Sequence, residues 1–314
     1  PLYSSAASDV YKRQTPALIP FAEGEVGLDW LVLVEYLKKG HQRAKAKIED
    51  LFLYRGSDTL LSRSAWIDGM GLLTKTATVF PNNIKSGQPM IDGGVMLFDD
   101  ADGQLEAVID FHLITKWKTA GDSLMAALAL APASAKKILI VGAGTVGKSL
   151  IEAFGTGFPQ AHFIIWNRSK AAANAFAKAT GAEVALDLET AVRAADIILT
   201  CTMTTDPILD GAWLRPGQHV NMIGSYRPDM READDLTLQK SLVFVDSFDT
   251  TLSHIGELKI PLESGAIVRT DIRADYYDFK SFKSEPDDIT VFKNGGGAHL
   301  DLMTARYVLD QWQS

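Results

Sequence analysis

Cysteine is nearly missing from these 314 residues: Cys201 stands alone, so no disulfide can form within the chain. That favours a reducing, intracellular compartment, and a cytoplasmic protein is expected. Cys201 ends an apolar run and reads as a small buried side chain, not a nucleophile. Positive charge is also in deficit. With 31 Lys and Arg against 39 Asp and Glu, the formal net charge is −8. Non-specific binding to nucleic acid or to an anionic membrane needs a positive field, so neither is expected. The basic cluster Lys38, Lys39, Arg43, Lys45 and Lys47 reads as a solvated helix face. Long hydrophobic runs are lacking too: Leu124 to Ala131 is stopped by Pro132 and is far too short to span a bilayer. His112, His254 and His299 stand at no metal-ligand spacing from a cysteine or an acid cluster, and no metal is expected. What is present, 46% hydrophobic and 22% charged residues, suits a globular chain long enough for two domains.

The first fourteen residues, PLYSSAASDVYKRQ, have no apolar central region and do not read as a signal peptide. They resemble a translated sequencing adaptor, so the native chain is expected to begin after Gln14.

The most informative stretch is Gly142-Ala143-Gly144-Thr145-Val146-Gly147, which follows the apolar run Ile138 to Val141 and opens a helical segment, Val146 to Phe154. Strand, glycine turn and helix in this order make a dinucleotide-binding unit, with the pyrophosphate on free N–H groups at the positive helix end. The second strand, Phe163 to Trp166, ends in Asn167-Arg168-Ser169, where an NAD site usually carries a carboxylate. Arg168 can fork onto a 2′-phosphate and Ser169 can donate to it, so NADP(H) is preferred, with NAD(H) as the alternative. Asn167 and Ser169 also fit as caps of the next helix, Lys170 to Ala179.

Along the chain, Leu28 to Gln42 has helical spacing with Asp29 near its start. Strand-like runs follow at Asp50–Tyr54, Thr59–Ile67, Leu72–Phe80, Gly94–Phe98 and Leu105–Phe111, punctuated by Asp68-Gly69 and Asp102-Gly103. From about Thr119 the pattern alternates: a helix over 119–131, then strands at 137–142, Phe163–Trp166, Ile197–Cys201, His219–Ile223 and Leu242–Val245 with helices between. Such alternation means a parallel sheet covered by helices. The expected fold is α/β: a Rossmann doubly wound parallel sheet plus a discontinuous α+β substrate domain. Residues 15–118 form the first part of that domain, 119–289 the NADP-binding domain, and 290–314, with Gly295-Gly296-Gly297 and a last helix, return to the first.

Motifs in one order carry a wider likeness. They are Leu72-Leu73-Thr74-Lys75 with Thr78-Val79-Phe80, Leu113-Ile114-Thr115 with Thr119-Ala120, Val141 to Gly144, Trp166-Asn167-Arg168 and Pro216 to Asn221. Gly224, Arg227-Pro228-Asp229, Arg231-Glu232, Val245-Asp246-Ser247, Thr290 to Lys293 and Asp301 continue the series. On these residues the chain resembles the ornithine cyclodeaminase/mu-crystallin family over almost its whole length. The resemblance implies a homodimer and a small carboxylate-bearing substrate. It puts Lys75 on the carboxylate, and Lys118 where the family usually has an arginine. A third basic residue is Arg55 or Arg63, with Arg55 slightly favoured. Thr202, Met203 and Thr204 follow the fourth strand at the sheet edge where α/β folds bind ligands, and with Gly224 are expected in the nicotinamide pocket; the resemblance puts Asp301 beside the active site.

One position departs from the cyclodeaminases, which carry an aspartate two residues after the glycine matching Gly224. Here Tyr226 stands there, a poor base at neutral pH but a good hydrogen-bond donor, and it is expected to bind the substrate. Ornithine cyclodeamination is therefore disfavoured. The expectation is reduction of an α-imino acid, Δ1-pyrroline-2-carboxylate to proline, with Lys75 as the candidate proton donor. The alternatives are reductive amination of a 2-oxo acid, as in alanine dehydrogenases, reduction of an iminodicarboxylate, and, in a different class, non-catalytic NADPH-dependent ligand binding.

Overall fold

The computed structural model describes residues 15–314, so the reading of the first fourteen lies outside the described residues. Two sheets organise the chain. The first holds β1 (Ala17–Ile19), β2 (Lys47–Arg55), β3 (Asp58–Ile67), β4 (Gly71–Val79), β5 (Ile91–Phe98) and β6 (Leu105–Asp110), in the order β1-β6-β5-β4-β3-β2. Neighbours are antiparallel except β1, which joins β6 in parallel. Glycines supply the left-handed backbone its turns need, at Gly69 (φ 74°) and Gly103 (φ 69°). One face carries Ala65, Ile67, Leu73, Val95 and Leu97, all buried. Against it pack α2 (Phe111–Leu130) and the last helix, α7 (Ala298–Trp312), and α1 (Trp30–His41) lies on those two helices. Asp29 caps α1, accepting from the Leu31 and Val32 amides at 2.8 and 2.9 Å.

The second sheet holds eight parallel strands. These are β7 (Lys137–Val141), β8 (His162–Trp166), β9 (Glu183–Val184), β10 (Ile197–Thr200), β11 (His219–Met222), β12 (Leu242–Val245), β13 (Ile272–Ala274) and β14 (Thr290–Lys293). Their order is β13-β12-β14-β11-β10-β7-β8-β9. Helices α3 (Thr145–Gly157), α4 (Lys170–Thr180), α5 (Leu188–Ala194) and α6 (Gly256–Ser264) connect strands of this sheet. The order reverses between β7 and β10, which opens the crevice where doubly wound sheets take ligands.

Two expectations need correction. Thr290–Lys293 does not begin the return to the first domain: β14 pairs with β11 on one side and β12 on the other. All four of its residues are buried, as an interior parallel strand requires. The return starts after Lys293. Nor does a helix begin at 119. Asp110 accepts from the Leu113 amide at 2.9 Å and caps a twenty-residue helix, α2, which runs unbroken across the expected boundary and touches both sheets.

Candidate functional site

The polar cluster is assembled from four elements. Arg63 on β3 and Lys75 on β4 are direct cross-strand partners, so their side chains leave the same sheet face. From α2 come Phe111, Thr115 and Lys118, spaced so that one helix face presents all three. Asp301 lies in the first turn of α7. Lys75 Nζ donates to Asp301 Oδ1 at 2.9 Å and to Thr115 Oγ1 at 2.8 Å, and lies 4.7 Å from the centre of the Phe111 ring. Arg63 donates from Nη1 to the Gly296 carbonyl at 2.7 Å and from Nη2 to Asp50 at 2.6 Å. Lys118 Nζ reaches the same Gly296 carbonyl at 3.2 Å. Lys75, Lys118 and Asp301 are buried.

Burial and the neighbouring Lys118 and Arg63 push the Lys75 ammonium down to about 8, with Asp301 opposing them. Burial acts to raise Asp301, but Lys75, Lys118 and Arg63 outweigh it and hold the carboxyl below its ordinary range. Asp301 Oδ2 has no hydrogen-bond partner among the described residues, and the Arg63 guanidinium is 4.0 Å away. Asp50 and Asp301 pair with Arg63 and Lys75, Lys118 contacts no carboxylate among the described residues, and the buried Asp246, held by the Gly296 amide at 2.7 Å, acts on Arg63 from further off. Neither ring nitrogen of His299, on α7, has a hydrogen-bond partner among the described residues. Burial, with the charge of Lys118, pushes its imidazole down to about 3, and the neutral ring packs edge-on against His41.

The glycine turn stands at the carboxyl end of β7. Gly142 has φ 122°, and a Cβ there would lie 2.8 Å from the Cys201 carbonyl, so only glycine fits. Gly144 is the N-cap of α3 without a capping side chain and faces open space. The first amides of α3 are thus left for a ligand. Asn167 braces the turn by accepting from the Ala143 amide at 3.3 Å, and Ser169 caps α4 through the Ala172 amide. Arg168 between them is exposed.

A sequence model described as "Ornithine cyclodeaminase/mu-crystallin family" matches residues 67–314. The chain belongs to that family. It is 43% identical to a Delta(1)-pyrroline-2-carboxylate reductase of Paracoccus denitrificans, over 95% of this chain and 97% of the relative. It is 36% identical to the ketimine reductase mu-crystallin of Mus musculus, over 77% of each. The fold matches that of the Thermococcus litoralis Delta(1)-pyrroline-2-carboxylate reductase, solved with NADH and L-proline. There the TM-score is 0.86 at 23% identity, covering 95% of this chain and 97% of that one.

Lys75, Lys118, Arg63 and Asp301 therefore converge, and Arg55 does not. At the end of β2, its side chain is 80% exposed and paired with Asp58 at 3.0 Å. Against the slight preference for Arg55, the register of β3 on β4 places Arg63 beside Lys75. Tyr226 is half-exposed beside Arg227 and takes no part in the cluster's hydrogen bonds. Thr202, Met203 and Thr204 follow β10 at the carboxyl edge, and Met203 is exposed. Sequence reasoning missed Phe111, the Gly296 carbonyl and the role of Thr115. The spacing of Phe111, Thr115 and Lys118 would have shown the shared face had the helix been started at Asp110. Among the described residues no group of three or more His, Cys, Asp or Glu could hold a metal, and no helix is long and apolar enough to cross a membrane.

Proposed function

We propose that this protein reduces a small cyclic α-imino acid, Δ1-pyrroline-2-carboxylate to proline, with NADPH as the preferred reductant. The observation that carries the reading is the convergence of Arg63, Lys75 and Lys118 in one buried cluster, which suits a carboxylate. The identity to the Paracoccus denitrificans reductase supports the reaction. The residues fit a pyridine nucleotide: the open N-terminus of α3 takes the pyrophosphate, and Arg168 and Ser169 the 2′-phosphate. When bound, that cofactor supplies the hydride for the imine carbon.

The chain supplies the rest. Arg63, Lys75 and Lys118 hold the carboxylate, and Asp301 Oδ2 is free to accept the iminium N–H. Lys75, with its ammonium near 8, can deliver the proton that the product nitrogen needs. One row further along the same sheet face stand Phe52, Leu61, Ala77 and Gly93, an apolar floor suited to ring methylenes and without a charge for an amine or a second carboxylate.

Purified protein should oxidise NADPH with pyrroline-2-carboxylate about tenfold or more faster than with iminosuccinate or with pyruvate plus ammonium. No oxidation above background with any of them would leave non-catalytic ligand binding as the better account. Arg168→Ala should reduce the preference for NADPH over NADH by about tenfold, through loss of a charge-assisted contact. An unchanged ratio of Michaelis constants would remove Arg168 from cofactor selection.

We also propose a homodimer through the uncovered face of the first sheet. There Leu18, Leu51, Leu53, Trp66 and Met96 lie on one side, 71%, 55%, 56%, 44% and 40% exposed. A monomer rarely leaves so broad an apolar face in water. Sedimentation at micromolar concentration should report twice the 34.2 kDa chain mass. Leu53→Glu should halve the mass, and a wild-type monomer would refute the dimer. The chain's single cysteine, the half-buried Cys201, fits a cytoplasmic setting.

A further inference from the structure

Behind the carboxyl edge of the parallel sheet lies a group of buried charges that the carboxylate-binding cluster does not use. Glu232 is fully buried in the segment after β11. Its carboxylate accepts from the Thr202 amide at 2.7 Å, from Thr202 Oγ1 at 2.8 Å and from the Gly224 amide at 2.7 Å. Thr202 follows β10 and Gly224 follows β11, so one side chain ties together the ends of neighbouring strands. A Cβ on Gly224 would come within 1.9 Å of the Thr202 carbonyl, so the two backbones lie in close contact.

The segment carrying Glu232 is itself anchored. Its own amide and that of Ala233 donate to Glu257, on α6, at 2.7 and 3.0 Å, and Ser225 Oγ donates to the same carboxylate at 2.9 Å. Lys293, at the end of β14, lies fully buried near both glutamates and donates to the Met222 and Asn294 carbonyls at 3.1 and 2.9 Å. Burying two glutamates and a lysine is costly, and packing alone would be served as well by apolar side chains. What these groups add is a fixed relation between the ends of β10 and β11. A dinucleotide whose pyrophosphate sits on the turn after β7 lays its other half across those ends.

We propose that Glu232 is a positioning residue for the nicotinamide: it fixes the shelf formed by Thr202 and Gly224 on which the ring rests. This rests on the dinucleotide reading given above. Glu232 acts through the backbone it holds and touches no reacting atom.

The test is E232Q. Glutamine keeps the shape but turns an N–H toward one of the donors, so at least one of the three bonds is lost. Calorimetric titration of wild type and variant with 2′,5′-ADP and with NADPH separates the two halves of the site. The fragment reads the adenosine end, and the ratio of the two affinities reads what the nicotinamide end adds. In E232Q the 2′,5′-ADP affinity should stay within about twofold, while the ratio falls about tenfold. With imino acid, kcat should fall about tenfold with little change in the KM for the imino acid. An unchanged ratio, or equal weakening of both ligands, would overturn the proposal, the second by revealing general loosening. If E232Q does not fold, Thr202→Val removes only the Oγ1 donor, and the ratio should fall about threefold; no change there overturns the proposal equally. The binding ratio needs no substrate, so it judges Glu232 even if no imino acid is turned over.

Discussion

Replacing Lys75 with alanine should lower kcat/KM for pyrroline-2-carboxylate by about a thousandfold while leaving NADPH affinity within about twofold. Two losses combine in that figure. One is a charge-assisted contact to the substrate carboxylate, and the other a positioned proton donor, worth about a hundredfold or more alone. Cofactor affinity should survive because the glycine turn and Arg168 lie on the other sheet. The pH profile gives a second readout. The Lys75 ammonium is pushed down to about 8, so it is charged at neutral pH and loses its proton as pH rises through that value. Wild-type activity should therefore fall on the alkaline side of about 8. The variant's residual rate should lack that limb. Steady-state kinetics across pH, with circular dichroism to establish folding, check both. Unchanged kinetics in Lys75→Ala would remove Lys75 from the mechanism.

Asp301→Ala should cost about 3–5 kcal/mol of stability as well as most of the activity. Asp301 is the fully buried counter-charge among Lys75, Lys118 and Arg63, and removing one partner of a buried set leaves the others uncompensated. The pH dependence has a definite sign. The folded-state carboxyl is held below its ordinary range, so the unfolded chain binds its proton more readily. The stability this group contributes is then fully present above the unfolded carboxylate value, about 4, and is lost as pH falls through the folded one. Urea midpoints at neutral pH and near pH 3 should thus differ more for wild type than for the variant. Asp301→Asn is the kinder change. It can still accept from Lys75 Nζ, but removes the charge that raises the Lys75 value. The alkaline limb of activity should move below about 8. A variant with the wild-type midpoint and pH profile would show that Asp301 neither neutralises the cations nor tunes Lys75.

Features legible in the sequence have short reach along the chain. The turn at Gly142 to Gly147 was readable because strand, turn and helix lie within one local stretch. Asp29 and the Asp-Gly turns likewise act on residues only a few positions away. Pairing at a distance is not legible in this way. Arg55 and Arg63 belong to one hairpin and carry the same chemistry, but only the register of β3 against β4 sets Arg63 opposite Lys75. Thr290 to Lys293 was readable as a strand, while its place between β11 and β12 depends on segments far upstream.

The sequence by itself determined the α/β class and the dinucleotide turn, which follow from residue chemistry and local pattern, and the family likeness, which implies basic residues for a carboxylate. Only the tertiary structure decided which arginine stands opposite Lys75, that Asp301 pairs with Lys75 across 226 positions, and that the Gly296 carbonyl receives both Arg63 and Lys118. Those facts depend on sheet register and helix docking. Burial then gives the assembled charges a strength that none has alone in the chain, because water no longer screens them.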